Sequence, residues 1–194
     1  MSDPAAQIVE MGRSLFARRL TPGRTGNISV RVGSSLHVTA TGASLGTLTV
    51  ADVTVVDLDT GAVRGRPPTK EAFIHQSIYR ARPDAGAVVH LHSTYAVAVS
   101  CLQDVDPADV LPPLTAYYGM RVGRLPLVPY HAPGDPAMAA PVSELAATHH
   151  ALLLSNHGPV VAGPDLATAT DAIEEIEETA RLYFLLAGRP VRLV

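Results

Sequence analysis

Cysteine is nearly absent from this chain. Cys101 is the only one among 194 residues, so no internal disulfide can form and nothing points to an oxidising compartment. Its setting, "AVAVSCL", reads as core. No segment reaches the roughly 20 apolar residues that a bilayer span requires, and "MSDPAAQIVEMGRSLFARRL" lacks the unbroken apolar stretch of a secretion signal. The cytoplasm is the expected location. Charge of one sign is scarce as well: 15 Lys and Arg against 18 Asp and Glu leave a net −3 with no basic run, which argues against nucleic acid or an anionic membrane as a partner. Internal repeats, low-complexity tracts and linkers are missing. One domain spanning residues 1–194 is expected, a length that suits a substantial core.

What is present is apolar patterning cut by 16 prolines and 15 glycines, the habit of a compact protein with punctuated loops. Ile8, Met11, Leu15 and Phe16 recur at helical spacing between about Ala5 and Leu20, where Pro22-Gly23 ends the pattern. "NISVRV", "SLHVTAT" and "VTVVDLD" read as meandering strands. A helix is expected in "PTKEAFIHQSIYRARPD", starting near Thr69, then a strand in "GAVVHLH" and a helix in "STYAVAVSCL" capped by Ser93 or Thr94. "DPADVLPPLTAYYG" reads as proline-broken, "RVGRLPLVPY" as strand-like, "GDPAMAAPVSELAATHH" as helical, and "ALLLSNHGPVVAG" as a buried strand pair or a sharply turned strand. A long helix from Asp165 to Ala187 closes the pattern, with Gly188 as its stop. The early meander favours a mixed or antiparallel sheet covered by helices.

The chemistry is suggested by histidines. His90 and His92 flank Leu91 in a strand-like segment, and side chains two apart on a strand share a face roughly 6 to 7 Å from each other. Two imidazoles converging from a rigid strand suit a divalent transition metal; the plain alternative is a half-exposed pair on an edge strand. A catalytic zinc uses about three protein ligands and keeps a position open. His157 is a third candidate, because "LLLSNHGPVV" interrupts an apolar run to present it, although a turn histidine bonded to backbone explains it equally well. Glu71 lies in the first helical turn after "PPT", where the helix dipole favours a carboxylate; it can also ligate a metal and serve as a base. His75 shares its face and reads as structural. His37 reads as a surface or supporting residue, His131 as a loop residue facing a ligand, and His149 and His150 as helix-end cations. Glu174, Glu175, Glu177 and Glu178 read as a solvated helix surface. The glycine turns "GRTGNIS" and "TATGASLG" can hold a phosphate through backbone N–H groups, though neither matches a P-loop, and Lys70 adds a cation beside Glu71.

In that order, "TGNIS", "TATGAS", "TKE", "VVHLHS" and "NHG" resemble the class II aldolase/adducin family over nearly the whole chain. The resemblance implies an α/β fold, a three-layer α/β/α sandwich with a mostly antiparallel central sheet. It implies one Zn2+, or another divalent ion, per subunit on His90, His92 and His157, with Glu71 ligating the free metal or acting as acid/base. It also implies a homotetramer with inter-subunit active sites. Longer stretches such as "RPPTKEAFIH", "RARPDAGAVVHLHSTYAVAVSCL" and "VLPPLTAYYGMRVGRLPLVPY" are similar to the branch of 3-oxo-tetronate 4-phosphate decarboxylases. That branch implies a small phosphorylated sugar acid as substrate, with CO2 and dihydroxyacetone phosphate as products. The metal acts there as Lewis acid to the C2 and C3 oxygens. A sugar-phosphate aldolase forms the same enediolate, and an adducin-like binding module needs no metal set. The family's tyrosine from a neighbouring subunit falls on Tyr118, with Tyr117 adjacent, and Glu71 or Tyr118 protonates the enediolate. Phosphate contacts fall on Asn27, Thr41, Gly42, Thr69 and Lys70. Sugar aldolases often carry Ser-Ser where this chain has Thr69-Lys70, and Lys70 can instead pair with the substrate carboxylate.

Overall fold

The computed structural model describes residues 3–194. Helix α1 (Pro4–Ala17) begins where Asp3 accepts a bond from the Ala5 N–H and Pro4 supplies a preset φ, and it buries Ile8 and Leu15 along one face. Strands β1 (Asn27–Val32), β2 (Ser35–Thr39), β3 (Val53–Asp57) and the short β4 (Val63–Arg64) form the expected antiparallel meander. Then follow α2 (Ala72–Ala81), β5 (Ala87–His90), α3 (Thr94–Ser100), α4 (Ala116–Arg121), β6 (Leu127–Val128), α5 (Ala139–Ala146), β7 (Ala151–Leu154), β8 (Gly158–Gly163) and α6 (Leu166–Leu185).

One eight-stranded sheet runs in the order β4-β3-β2-β1-β5-β8-β7-β6. Only β6 pairs with its neighbour in parallel; the other pairings are antiparallel. Its central strands are buried on both faces, so they read as continuous apolar runs whose alternate residues enter different cores. Ala87, Val89, Leu91, Leu153 and Val161 pack with α1, α3, α4 and α6. Val88, Leu152, Leu154, Val160 and Ala162 pack with α2 and α5 on the other side. Two cores therefore sandwich the sheet, and each fully buried Leu, Ile or Val in them contributes roughly 1.5–3 kcal/mol.

Four local expectations change. "TAYYGMR" is helical, with Thr115 capping the Tyr118 N–H, where a proline-broken stretch was expected. The strand expected in "RVGRLPLVPY" shrinks to Leu127–Val128, because Pro126 and Pro129 on either side lack the N–H that a ladder needs. Cys101 is exposed rather than core, since it stands just past the end of α3. The four α6 glutamates are not merely solvated: Glu177 accepts from the Tyr95 and Ala96 N–H groups at the start of α3, while Glu174, Glu175 and Glu178 meet Arg18, Arg121 and Arg181.

Candidate metal centre

β5 ends at His90, on the face that looks toward α2. Leu91 drops into the opposite core, which returns His92 to the same side as His90 although the strand has already ended. The His90 Nδ1–H donates to the Pro159 carbonyl at 2.8 Å, so its Nε2 carries a bare lone pair turned toward the cluster. His157 arrives from the β7–β8 turn, where Asn156 (φ 55°) and Gly158 (φ 147°) take left-handed backbone. A Cβ on Gly158 would run into the Leu91 carbonyl oxygen, so the glycine is what allows the turn to close against the His90–His92 segment.

Glu71 is the residue before α2 rather than part of its first turn, and its carboxylate makes no capping bond. It points into the cluster instead. His90 Nε2 lies 3.1 Å from His92 Nε2 and 3.3 Å from His157 Nε2. Glu71 Oε1 is 3.0 Å from His157 Nε2 and Oε2 is 3.5 Å from His90 Nε2. Ligands about 2.0–2.1 Å from a tetrahedral zinc stand about 3.3–3.4 Å from one another, and these four separations lie close to that spacing. The four side chains offer ligand atoms that all lie within 4.8 Å of one another and could hold a metal ion. His157 Nδ1 is buried without a hydrogen-bond partner among the described residues, leaving that ring's polar commitment on the cluster side.

Ionisation suits the same use. Burial pushes His90 down to about 4, and burial together with the neighbouring His90 and His157 rings pushes His92 down to about 3. Both are neutral donors near pH 7, the form a metal requires. Burial opposes the charge on Glu71, but the His90 and His157 rings and the Asn27 amide outweigh it and hold the carboxyl well below its ordinary range.

Beside the cluster lies a cleft of about 270 Å³. All five residues expected to meet phosphate line it: Asn27, Thr41, Gly42, Thr69 and Lys70. The Asn27 side chain is already engaged, giving its Nδ2–H to Glu71 Oε2 at 2.8 Å. Arg24, Pro133 and Gly134 also line the cleft, and the sequence reading missed them. Arg24 could have been noticed as a cation inside the glycine turn already singled out. Neither Arg24 nor Lys70 forms an ion pair among the described residues. A roomier hollow of about 350 Å³ lies past the other end of β5, beside Ala85 and Gly163. Its Arg82 and Arg121 face Asp84 and Asp171, and none of the four converging ligands lines it.

Some residues lie elsewhere. Tyr118 is 0% exposed in the core beneath α4, and burial pushes its hydroxyl's ionisation up. A side chain lent to a neighbouring subunit has to stand outside its own core, so the Tyr118 assignment is corrected. Tyr117, one helical step round, is 59% exposed. His131 lies 3.8 Å from Asp135 and does not line the cleft; Pro133 and Gly134 of its loop do. His37, His149 and His150 are likewise absent from the lining.

Residues 6–184 match the family profile described as Class II Aldolase and Adducin N-terminal domain. The 3-oxo-tetronate 4-phosphate decarboxylase of Haemophilus influenzae is 46% identical over 186 residues, covering 95% of this chain and 89% of the relative. The L-fuculose phosphate aldolase of Methanococcus maripaludis is 34% identical over 180 residues, covering 93% and 96%. Among solved structures, YgbL of Klebsiella pneumoniae superposes with a TM-score of 0.94 at 44% identity, covering 97% of this chain and 92% of that one.

Proposed function

From a chain that belongs to the class II aldolase and adducin family, we propose the decarboxylation of a 3-oxo-tetronate 4-phosphate to dihydroxyacetone phosphate and CO2. The observation that carries this reading is similarity to the Haemophilus decarboxylase along almost the whole chain, well above that to the Methanococcus aldolase, together with a full set of ligands. His90, His92, His157 and Glu71 are the proposed ligands of one divalent ion per protomer. Three imidazole nitrogens and a carboxylate suit Zn2+. When bound there, the ion supplies Lewis acidity toward the substrate's neighbouring C2 and C3 oxygens.

The protein's own groups do the rest. Thr41, Thr69 and Gly42 line the cleft, and their hydroxyl and N–H groups suit the phosphate, while Lys70 and Arg24 balance a substrate that carries both phosphate and carboxylate. Losing CO2 leaves the C1–C2 electron pair on the substrate, where it delocalises onto the C3 oxygen as an enediolate. A proton must then reach C2. Glu71 holds none near neutrality, so it accepts the C2 hydroxyl proton first and returns it to C2 after CO2 has left; water re-protonates the product hydroxyl. Exposed Tyr117, rather than Tyr118, is the tyrosine suited to a neighbour's cleft in a cytoplasmic homotetramer.

Incubating the metal-loaded protein with a 3-oxo-tetronate 4-phosphate should release CO2 and dihydroxyacetone phosphate in equal amounts, both suppressed by a chelator. No CO2 from that substrate, with an aldehyde appearing from a ketose phosphate, makes the protein an aldolase instead.

A further inference from the structure

Behind Glu71 runs a file of buried polar groups that the proposed reaction does not use. Asn27, Ser29, His75 and Tyr79 are each at most 4% exposed. They sit on facing elements: Asn27 and Ser29 alternate on β1 toward α2, while His75 and Tyr79 are one turn apart on α2. His75 touches Asn27 Oδ1 through Nε2 at 2.5 Å and Ser29 Oγ through Nδ1 at 2.7 Å, and the Tyr79 hydroxyl lies 3.0 Å from Ser29 Oγ.

Donor and acceptor chemistry permits one direction through this file. An ionised Glu71 only accepts, so Asn27 must turn its Nδ2 toward Oε2. The amide oxygen then faces His75, which must donate from Nε2 and keep Nδ1 bare. Ser29 gives its proton to that nitrogen. A neutral imidazole with a donor at one end and an acceptor at the other is what holds the Asn27 amide in this orientation. A reversed amide would present its NH2 to His75 and set its oxygen against the carboxylate, which is repulsive in a buried site. A purely apolar packing residue at position 75 would leave the Asn27 oxygen and the Ser29 hydroxyl without partners.

We propose that His75 is a positioning residue: acting through Asn27, it sets the orientation of the Glu71 carboxylate at the metal centre. This rests on the reading of Glu71 and the three histidines as metal ligands, and not on the identity of the substrate. Partners that orient ligating groups are worth about 10–100-fold in metal affinity or activity.

The test is a double-mutant cycle in the full-length protein, with Co2+ as the probe ion. Its affinity is read by chelator competition and its geometry by visible absorption. His75→Leu and Asn27→Ala should each weaken Co2+ binding about 10-fold or more and alter the spectrum alike. The double variant should be within about twofold of Asn27→Ala alone, because the two act in series. His75→Gln, which keeps an N–H for Asn27 and an oxygen for Ser29, should return binding to within about threefold of wild type. Effects that multiply in the double variant, a glutamine as damaging as leucine, or unchanged binding in His75→Leu each overturn the proposal. Should His75→Leu not fold, Ser29→Ala carries the same cycle: a smaller loss expected alone, none in the Asn27→Ala background, and an undiminished loss there contradicting it. Absence of CO2 release from the wild type overturns the decarboxylase reading while leaving this cycle legible.

Discussion

His92→Ala is expected to lose the metal and the reaction while the fold survives. His92 is the least buried of the three histidines, and among the described residues its only hydrogen-bond contact is with His90 inside the cluster, so neither core loses a packing element when it goes. Two imidazoles and one carboxylate remain, a donor set that holds zinc where a site is built around three ligands; here it leaves a gap in a four-ligand arrangement, and binding weakens. Lewis-acid stabilisation supplies several kcal/mol of the barrier, so CO2 release should fall about a thousandfold or more. The variant's thermal midpoint in the presence of chelator should stay close to that of the wild type treated alike, while its metal content by elemental analysis after dialysis falls well below the wild type's. Full metal content with full turnover would remove His92 from the site.

Glu71→Gln should keep the fold and lose turnover by about 100- to 10,000-fold, the usual worth of a positioned proton-transfer group. The amide fits the same space. Its oxygen can accept from Asn27 as Oε2 does, and its NH2 can face His157 Nε2 where Oε1 lies 3.0 Å away. What it cannot do is carry a proton from the C2 hydroxyl to C2. Single-turnover measurement of CO2 and of deuterium entry at C2 in heavy water separates the two halves of that task. A variant that releases CO2 at the wild-type rate with normal deuterium entry contradicts the proton-shuttle role.

Part of the converging cluster was legible because its signals are local, and the resemblance supplied the rest. His90 and His92 betray each other across one residue, and "SNHGPVV" shows a core strand pausing at His157. A mixed or antiparallel sheet covered by helices is similarly plain in the β-branched runs and the long closing helix, while the three-layer sandwich comes from the resemblance. Tyr118 was misplaced because two adjacent tyrosines on a six-residue helix differ only by a rotation of about 100°. Buried Val122, four residues on from Tyr118, marks the inward face, but that cue is hidden because Val122 falls in the strand-like "RVGRLPLVPY". His75 looked merely structural since its partners Asn27 and Ser29 come from a strand 46 to 48 residues earlier. Only the pairing of β1 with β5, which sets Asn27 opposite His90, brings that file to the metal centre. Strand register carries such information, and local spacing does not.

The central claim concerns an ion coordinated jointly by His90, His92 and His157. Anomalous diffraction from crystals of metal-loaded protein, collected on both sides of the metal's absorption edge, addresses it most directly. The account predicts one peak per protomer, about 2.0–2.1 Å from all three Nε2 atoms, with Glu71 or a substrate oxygen completing the shell. A peak bound by other residues, or catalytically competent crystals with no peak between these rings, contradicts it.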